Sequence, residues 1–431
     1  MKGFMLASPH SGAGKTVLTM AILRKLSRDG LAISPIKVGP DYIDTAFHEV
    51  ACHSTGNNLD CWAMRDDLVS ALSARAIEGG RLLIAEAMMG LFDGALDGTG
   101  SAADFARRLL LPIILVVDCS KMSHSIAPLV FGFNNFSDDV YIAGIILNKV
   151  GSARHEKLLR NALAPLGVNI LGAIGRSEKL HLPDRHLGLV QAHEMQEIDK
   201  FIEEAADFIE TSLNFDDLLS LAKATTDPDY SAGVPRLEPL GQHIAIARDN
   251  AFRFTYAHIL AGWQRQGASL SFFSPLEDET PSKDADAIYL PGGYPELFAE
   301  KLAHAAKFKS ALQQVQSDNK IIYGECGGYM VLGDYIEDKN GIMHKMLGLL
   351  PLTTSIKNPK LHLGYRKILP LSKFPWHHHL RGHEFHYATT TSAKDTVPLF
   401  AIEDALGENL GEVGIRHKNV SGSFMHIIDR E

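Results

Sequence analysis

Two separate groups of residues in this 431-residue chain have types and spacings that carry chemistry. Near the start, residues 11–16 read Ser-Gly-Ala-Gly-Lys-Thr, a pattern that binds the phosphates of a nucleotide. Far downstream, residues 324–328 read Gly-Glu-Cys-Gly-Gly, a setting that presents the thiol of Cys326 as a nucleophile. One site would bind a nucleoside triphosphate and the other would form a covalent thioester, so the sequence predicts a two-step enzyme.

The first group has the residues that a phosphate loop requires. Gly12 and Gly14 let successive backbone N–H groups turn towards phosphate oxygens, and Lys15 adds a positive charge. Thr16 would hold Mg²⁺ beside the β- and γ-phosphates of ATP. The strict motif is not matched, because Pro9 stands where the first glycine is expected. A chance Gly-Lys-Thr on a surface turn is the alternative, but the strand-like run before it and the helix-like run after it favour a nucleotide site.

Three acidic residues follow strand-like runs and could bind the metal of that nucleotide. Asp41 and Asp44 come after the run at 33–38, and Glu86 follows the run at 82–85. The carboxyl ends of parallel strands face the ligand crevice, and hard carboxylate oxygens suit Mg²⁺. The alternative is that Asp41 or Asp44 only caps the turn after the strand.

A fourth polar residue ends the next strand-like run. Asn148 follows residues 142–147 and would read the base of the nucleotide. An ordinary turn residue is an equally good interpretation, since asparagine is common in turns.

The cysteine lies in the setting of a nucleophile elbow, directly after the strand-like run at 320–323. Small neighbours would let the chain turn sharply and lift the thiol of Cys326 towards substrate. The backbone N–H groups of Gly327 and of Gly293, at another strand end, would form an oxyanion hole. His426 would act as the base. A buried structural cysteine is the alternative, but packing alone does not explain the glycines around it.

The composition excludes several classes of protein. The net charge is −9 and no Lys/Arg stripe is visible, so we expect no nucleic-acid partner. No apolar run approaches the ~18 residues of a membrane helix and no signal peptide is recognised, so we expect a cytoplasmic enzyme without a membrane partner. The four cysteines form no C-x-x-C pair, and the histidine-rich stretch at 377–386 lacks an H-E-x-x-H helix pattern, so the zinc signal is weak.

The elements that must position these groups alternate between strands and helices. Buried strand-like runs separated by amphipathic stretches indicate parallel, doubly wound sheets. We therefore predict two doubly wound α/β domains, an ATP-binding domain at 1–190 and a second domain at 241–431, joined by a linker at 191–240. Strand-like runs occur at 3–7, 33–38, 82–85, 113–117, 142–147 and 169–174, and again at 243–247, 270–273, 287–290 and 320–323.

Several motifs resemble a known family. The motifs that carry the resemblance are residues 291–296, 324–330 and 423–426, and residues 37–44, 89–94 and 382–387. The first three resemble the class I glutamine amidotransferase domain of the cobyrinate and cobyrate synthases. The other three are similar to the cobyrinate and hydrogenobyrinate a,c-diamide synthases. The resemblance covers nearly the whole chain.

The resemblance implies a dethiobiotin-synthetase-like ATPase domain followed by a class I glutamine amidotransferase domain. ATP would phosphorylate two acetate carboxylates of a corrinoid substrate, and ammonia released from L-glutamine would displace the phosphate. Segments 123–127 and 182–189 are most similar to members of the aerobic pathway, whose substrate is hydrogenobyrinate without cobalt. The cobalt-containing cobyrinate of the anaerobic pathway is the alternative substrate.

One departure from the family pattern concerns the catalytic triad. Class I amidotransferases usually carry Glu two residues after the catalytic His, but Ile428 occupies that place here. This branch of the family resembles a Cys–His dyad. We therefore assign no third member, neither to Asp429 nor to Glu384.

Two other functional classes are open at this point. A switch ATPase of the chromosome-partitioning type would explain the first half but leave Cys326 unused. An enzyme similar to cytidine triphosphate synthase would share both halves in outline, but the motif at residues 39–44 does not support it. The sequence does not fix the oligomeric state, for which a homodimer is one option.

Overall fold

A computed structural model describes residues 2–177, 180, 182, 184–185, 188–189, 195, 197–224, 233–372, 375–393 and 396–431. The chain forms two compact units. The first contains residues 1–62 and 66–234, and the second contains Pro235–Glu431 together with the short segment Ala63–Arg65.

A parallel sheet forms the centre of the first unit. Its strands are β1 (Lys2–Ala7), β2 (Ile33–Val38), β3 (Asn57–Leu59), β4 (Leu82–Ala87), β5 (Ile113–Asp118), β6 (Ile142–Val150) and β7 (Ile170–Gly175). They lie in the order β3-β2-β4-β1-β5-β6-β7, with every neighbouring pair parallel. Strands β2 and β4 are buried along their whole length. This burial explains their continuous rather than alternating apolar pattern.

The described residues of the first unit also form short strands and eight α-helices. The strands β8 (Asp184–Arg185) and β9 (Gly188–Leu189) pair with each other, and β10 (Lys223–Ala224) pairs antiparallel with β1. The helices are α1 (Lys15–Arg28), α2 (Tyr42–Cys52), α3 (Asp66–Ala76), α4 (Ala102–Leu109), α5 (Ile126–Asn135), α6 (Ala153–Leu163), α7 (Ile198–Glu210) and α8 (Phe215–Leu221). Among the described residues, no helix combines the length and the apolar character needed to cross a bilayer.

The segment 191–240, predicted to be a linker, has a different role in its described part. Helix α7 packs on α1, and Ile202 and Ile209 are fully buried in the same core cluster as α1. Arg24 of α1 donates to Asp199 at 2.6 Å and to Glu203 at 2.8 Å. The first unit therefore continues to about residue 234, because the apolar face of α7 is needed to cover α1.

The second unit contains a second, mostly parallel sheet, as predicted. Its order is β12-β11-β13-β14-β24-β23, and only β23 runs antiparallel to its neighbour. These strands are β11 (His243–Ala247), β12 (Ser269–Phe273), β13 (Ala287–Leu290), β14 (Ile321–Glu325), β23 (Ile415–His417) and β24 (Val420–Ser423), and the helices of this unit are α9 (Ala257–Arg265), α10 (Ala299–His304), α11 (Ala306–Ser317) and α12 (Gly327–Leu332).

In the described part of the second unit, two further sheets, one mixed and one antiparallel, were not anticipated from the sequence. The sheet β16-β15-β17-β20 contains β15 (Tyr335–Glu337), β16 (Met343–Lys345), β17 (Leu352–Ser355) and β20 (Thr389–Ala393), although β15 and β17 pair parallel. The sheet β22-β21-β18-β19-β25 contains β18 (His362–Pro370), β19 (Leu380–His386), β21 (Phe400–Glu403), β22 (Asn409–Val413) and β25 (Met425–Arg430). Strand β25 carries His426, so this antiparallel sheet positions the predicted base.

Candidate active site

The phosphate loop lies between β1 and α1. Gly12 (φ 79°) and Gly14 (φ 90°) adopt the left-handed conformation that glycine enters without steric cost. Lys15 is buried, and its ammonium donates to Ser8 Oγ at 2.7 Å and to the carbonyl oxygen of Met89 at 2.6 Å. Burial lowers the pKa of Lys15 to about 8. The lysine is thus held at the loop chiefly by neutral oxygens, and its charge is available for a phosphate.

Three oxygen-bearing side chains converge beside this loop. Thr16 Oγ1 donates to Glu86 Oε1 at 2.9 Å and lies 3.4 Å from Asp44 Oδ2. Both carboxylates are buried. Within the described part of the chain, the buried Asp44 Oδ1 has no hydrogen-bond partner. One hydroxyl and two carboxylates, with an oxygen to spare, form a donor set that suits Mg²⁺.

Two residues that the sequence analysis did not single out contact the same carboxylates. Lys37 Nζ donates to Glu86 Oε1 at 2.9 Å and also to Asp44 Oδ2. His48 Nε2 lies 2.6 Å from Glu86 Oε2. The available signals were a lysine inside the apolar strand β2 and a histidine one helical turn after Asp44.

Burial and charge oppose each other in this cluster. Burial alone would lower the pKa of Lys37, but the carboxylates of Asp44 and Glu86 outweigh it and raise that pKa. Burial raises the pKa of Asp44, against the opposing charge of Lys37. Burial alone would raise the pKa of Glu86, but the charge of Lys37 and the hydrogen bond from His48 hold that pKa well below the ordinary range. The cluster therefore contains Glu86 as a carboxylate and Lys37 as an ammonium at neutral pH.

Asp41 has a local structural contact that the other two acids lack. Its Oδ1 accepts from Ile43 N at 2.8 Å and from Asp44 N at 3.4 Å, at the first turn of α2. This geometry is a helix N-cap. The structure thus brings Asp44 and Glu86 together with Thr16 and gives Asp41 the capping role that the sequence left open, while Mg²⁺ binding by Asp41 stays a prediction.

Asn148 contacts the phosphate loop directly. Its Nδ2 donates to the carbonyl oxygen of Ala13 at 2.8 Å, and a Cβ added to Gly14 would lie only 2.4 Å from that nitrogen. Glycine at position 14 is therefore required for this close approach. A cavity of about 220 Å³ lies next to these residues, and its lining includes Gly14, Val17, Asn148, Gly175 and Arg176. The predicted contact with a nucleotide base remains untested.

The cysteine forms a sharp turn between β14 and α12. Cys326 has φ 46° and ψ −106°, a strained conformation for a residue with a side chain. A Cβ on Gly328 would lie 1.9 Å from the carbonyl oxygen of Leu290, and one on Gly324 would lie 2.6 Å from Leu332 Cδ1. The surrounding glycines are needed because the turn packs directly against its neighbours, as expected of a nucleophile elbow.

The two predicted oxyanion donors lie together. A Cβ on Gly327 would be 3.0 Å from Gly293 N, which places the two backbone segments in contact. The carbonyl oxygen of Gly292 accepts from Arg253 N and Phe254 N, both at 3.0 Å. These bonds fix the orientation of the Gly292–Gly293 peptide. This geometry is compatible with an oxyanion hole, and the donor roles of the Gly293 and Gly327 N–H groups stay a prediction.

His426 and Cys326 meet at Gly292. A Cβ on Gly292 would lie 2.5 Å from His426 Cε1 and 3.4 Å from Cys326 Cβ. Burial, with added repulsion from His383 and His386, holds the pKa of His426 well below its ordinary value. Burial raises the pKa of the Cys326 thiol well above its ordinary value. Both shifts favour the uncharged forms, a neutral imidazole and an un-ionised thiol, and Cys326 Sγ lies 3.8 Å from the carbonyl oxygen of Phe385.

The two acids considered for a third catalytic position have other partners. Asp429 Oδ2 accepts from both the backbone N and Nε of Arg65 at 3.0 Å. Glu384 accepts from Arg366 Nη2 at 2.7 Å and pairs with His386 Nε2 at 2.8 Å. Each of these acids is therefore bound by an arginine, Asp429 by Arg65 and Glu384 by Arg366.

The histidine-rich stretch contributes to an ion-pair network. His362, Glu384 and His386 offer three ligand atoms within 4.8 Å of one another. The guanidinium of Arg366 already pairs with this carboxylate, through Nη2 at 2.7 Å and Nε at 3.0 Å. Glu384 is therefore already paired with a cation of the chain, whereas His362 Nε2 is buried without a hydrogen-bond partner among the described residues.

Comparisons with known proteins match both units. Residues 4–190 match the CobQ/CobB/MinD/ParA nucleotide binding domain, and residues 243–431 match the CobB/CobQ-like glutamine amidotransferase domain. The chain is 56% identical over 430 residues to a hydrogenobyrinate a,c-diamide synthase of Brucella anthropi and 50% identical over 429 residues to one of Rhizobium meliloti. Each comparison covers 100% of this chain and 99% of the relative. The resemblance seen in the sequence is thereby confirmed, and the chain belongs to the hydrogenobyrinate a,c-diamide synthase family.

Proposed function

We propose that this chain catalyses the ATP-dependent amidation of the a and c acetate carboxylates of hydrogenobyrinate in cobalamin biosynthesis, with L-glutamine or ammonia as the nitrogen donor. The observation that carries the proposal is the presence, in one chain, of a phosphate loop with the buried Lys15 and of an elbow cysteine, Cys326, beside the buried His426. The full-length similarity to hydrogenobyrinate a,c-diamide synthases supports the choice of substrate.

The first unit would activate the carboxylate. A carboxylate does not react with an amine in water, and ATP supplies the phosphoryl group that turns one of its oxygens into a leaving group. Lys15 would stabilise the negative charge that develops on the transferred phosphoryl oxygens. Thr16, Asp44 and Glu86 would hold Mg²⁺ through hard oxygen donors, and Asn148 would contact the nucleotide base.

The metal assignment follows from the donor set. The buried and unpartnered Asp44 Oδ1 is an oxygen that a cation could satisfy. Asp41, whose Oδ1 caps α2, would be a further ligand, as its place at the carboxyl end of β2 suggests. Lys37 lies against the same oxygens and would move or share them when the divalent ion binds.

The second unit would release ammonia from L-glutamine. The thiol of Cys326 would pass its proton to His426 while its sulfur forms a bond to the side-chain amide carbon. The N–H groups of Gly293 and Gly327 would stabilise the resulting oxyanion. His426 would return the proton to the departing nitrogen, which leaves as ammonia, and water would hydrolyse the thioester to give glutamate and the free thiol.

Supplying ammonia from glutamine has a chemical reason. Free ammonia is mostly protonated at neutral pH, and ammonium is not a nucleophile. Ammonia released inside a protein remains nucleophilic and can displace phosphate from the activated carboxylate. This coupling explains why a nucleotide site and a glutaminase site occur in the same chain.

The choice of the metal-free substrate rests on the segments 123–127 and 182–189. In the second of these segments, Pro183, His186 and Leu187 lie outside the described residues. The cobalt-containing cobyrinate is the alternative substrate, and the similarity to relatives that are hydrogenobyrinate a,c-diamide synthases favours the metal-free form.

The other functional classes explain less. A partitioning-type ATPase would leave Cys326 and His426 without a role. We further propose that the enzyme is cytoplasmic, has no nucleic-acid or membrane partner and acts as a homodimer, which a measurement of its mass in solution would test.

The decisive assay measures amide formation with purified protein. Hydrogenobyrinate, ATP, Mg²⁺ and L-glutamine should give the monoamide and then the a,c-diamide, with ADP and glutamate produced in step with each amide. Cobyrinate and a corrin without free acetate carboxylates serve as matched substrates. The proposal would be ruled out if no corrinoid acid raised the rates of ATP hydrolysis and glutamine hydrolysis together.

A further inference from the structure

A third acidic side chain lies next to the catalytic histidine. Glu325, the residue directly before Cys326, ends β14 and is 3% exposed. Its Oε2 is 4.0 Å from His426 Nδ1. The place two residues after the histidine, which usually supplies this carboxylate in class I amidotransferases, is occupied by Ile428.

Two hydrogen bonds fix the carboxyl group in this position. Tyr289 donates its hydroxyl proton to Glu325 Oε2 at 2.9 Å, and Ile427 N donates to Glu325 Oε1 at 3.4 Å. Because Ile427 is the neighbour of His426 on β25, the second bond connects the carboxyl group to the strand that carries the histidine. One side chain thus bridges the strand of the nucleophile and the strand of the base.

We propose that Glu325 is the positioning residue for His426 in glutamine hydrolysis. The inference rests on the proposed function, in which Cys326 is the nucleophile and His426 its base. As the sulfur of Cys326 bonds to the amide carbon, its proton passes to the imidazole, which becomes an imidazolium. The Glu325 carboxylate stabilises that cation until the proton leaves with ammonia, and Glu325 neither gains nor loses a proton over the cycle.

The titratable groups found near His426 among the described residues include His383 and His386 on β19 and Glu325 and Cys326 around the elbow. Both histidines disfavour a cation at His426. Glu325 is the carboxyl group of this set, and its ionisation favours the imidazolium.

The environment of Glu325 gives the proposal a measurable signature. Burial raises the pKa of Glu325 to about 8, although the hydrogen bond from Tyr289 acts in the opposite direction. The carboxylate form that stabilises the imidazolium is accordingly the minor form at neutral pH and the major form above pH 8. The pH profile of kcat/KM for glutamine hydrolysis reports ionisations of the free enzyme. We therefore expect this profile to have an ascending limb near pH 8, where Glu325 loses its proton.

The test compares Glu325→Gln with the wild-type protein in glutamine hydrolysis between pH 6 and pH 9.5. The amide keeps an oxygen for the Ile427 N–H but cannot carry charge. We expect kcat to fall by about 10²-fold or more, as is typical when the residue that orients a catalytic histidine is neutralised, KM for glutamine to change by less than about threefold, and the limb near pH 8 to disappear. A variant with the limb intact and kcat within about threefold of wild type would overturn the proposal.

Two matched variants separate Glu325 from nearby acids. Glu296→Gln removes a half-buried carboxyl group whose charge also acts on Cys326 and whose pKa is raised to about 7 by desolvation. Asp429→Asn removes the acid that follows His426 in sequence but is bound by Arg65. Both variants should retain the limb near pH 8, and loss of the limb in either one, with Glu325→Gln unaffected, would transfer the role to that residue.

Ammonia-dependent amidation of hydrogenobyrinate controls for folding and separates this inference from the proposed function. Glu325→Gln should retain it, because the ligase site lies in the other unit. If the wild-type protein hydrolyses glutamine but amidates no corrinoid, the proposed function fails while the glutaminase test still stands. Should Glu325→Gln not fold, Glu325→Asp decides: we expect a lower kcat with an ionisation limb retained, and wild-type kcat at every pH would contradict the proposal.

Discussion

Lys37 and Glu86 form a buried ion pair, with 2.9 Å between Nζ and Oε1. The same ammonium also contacts Asp44, and the same Glu86 oxygen accepts from Thr16. A cation of the chain is therefore placed at the oxygens that would bind Mg²⁺. Its charge compensates both buried carboxylates, and Glu86 has a second contact, with His48 Nε2 at 2.6 Å.

The first prediction concerns the stability that this ammonium provides. Lys37→Met removes the ammonium that pairs with both buried acids, Asp44 and Glu86, and we expect the free energy of unfolding to fall by about 3–5 kcal/mol. Urea denaturation at pH 7 measures the change, and added Mg²⁺ should restore part of it. Lys301→Met is the control, since its pair with Glu277 is exposed and should contribute less than about 1 kcal/mol. Equal losses in the two variants would contradict the prediction.

The second prediction separates metal ligands from a helix cap. Asp44→Asn and Glu86→Gln should lower synthesis and raise the Mg²⁺ concentration required, because a neutral amide binds a hard cation poorly. Asp41→Asn should shift the Mg²⁺ requirement less, because asparagine also caps helices well and Asp41 already caps α2. Initial rates of ammonia-dependent synthesis over a Mg²⁺ titration test this order. Identical titration curves for all four proteins would mean that these acids only shape the fold.

Local patterns predicted the parts of the site that are contiguous in sequence. The phosphate loop from Gly12 to Thr16 and the elbow around Cys326 were recognisable because each lies between a buried apolar strand and a helix. The core strands were also predictable, because strands that are buried on both faces consist of consecutive apolar residues.

Pairings between distant residues were not recognisable. The contact of Lys37 with Glu86 joins residues 49 positions apart, and no local pattern encodes that separation. Strand β22 is largely exposed and lacks an apolar run, so the antiparallel sheet it borders was not anticipated. Helix α7 was recognisable as a helix from its sequence. Its packing on α1 is a tertiary contact between distant segments, which the sequence does not show, so we predicted a linker there.

The third prediction tests the phosphate loop. Lys15→Ala removes the charge that would stabilise the transferred phosphoryl group, and we expect synthesis to stop with either glutamine or ammonium as nitrogen donor. Glutamine hydrolysis measured without corrinoid should continue, because it needs only the second unit. Near-normal ammonia-dependent synthesis in this variant would disprove the assignment of Lys15.

The fourth prediction tests the division of labour between the units. Cys326→Ala should abolish glutamine hydrolysis, because no thioester can form, yet still make diamide from ammonium salt at raised pH. His426→Ala should be almost as inactive with glutamine. The reason is that burial raises the pKa of the Cys326 thiol, so very little thiolate exists without the base.

Alkylation by iodoacetamide provides an independent reading of that thiol. Its rate at Cys326 should be slow at pH 7 in His426→Ala and no faster than in the wild-type protein. Loss of ammonia-dependent synthesis in a folded Cys326→Ala protein would show that Cys326 serves the corrinoid site or the fold, and the assignment of separate tasks to the two units would be wrong.

The last prediction concerns the substrate. We expect faster amidation of metal-free hydrogenobyrinate than of cobalt-containing cobyrinate, because segments 123–127 and 182–189 are most similar to the aerobic branch and the relatives are named for the metal-free acid. The comparison is best made with ammonium salt in the Cys326→Ala background, so that the glutaminase step cannot limit the rate. The two corrinoids differ at the macrocycle centre but carry the same acetate carboxylates. A difference in kcat/KM therefore measures how strongly the enzyme discriminates between the metal-free and the cobalt-containing ring. A kcat/KM ratio that favours the cobalt form by more than about tenfold, or ~1.4 kcal/mol of transition-state preference, would assign the enzyme to cobyrinate instead.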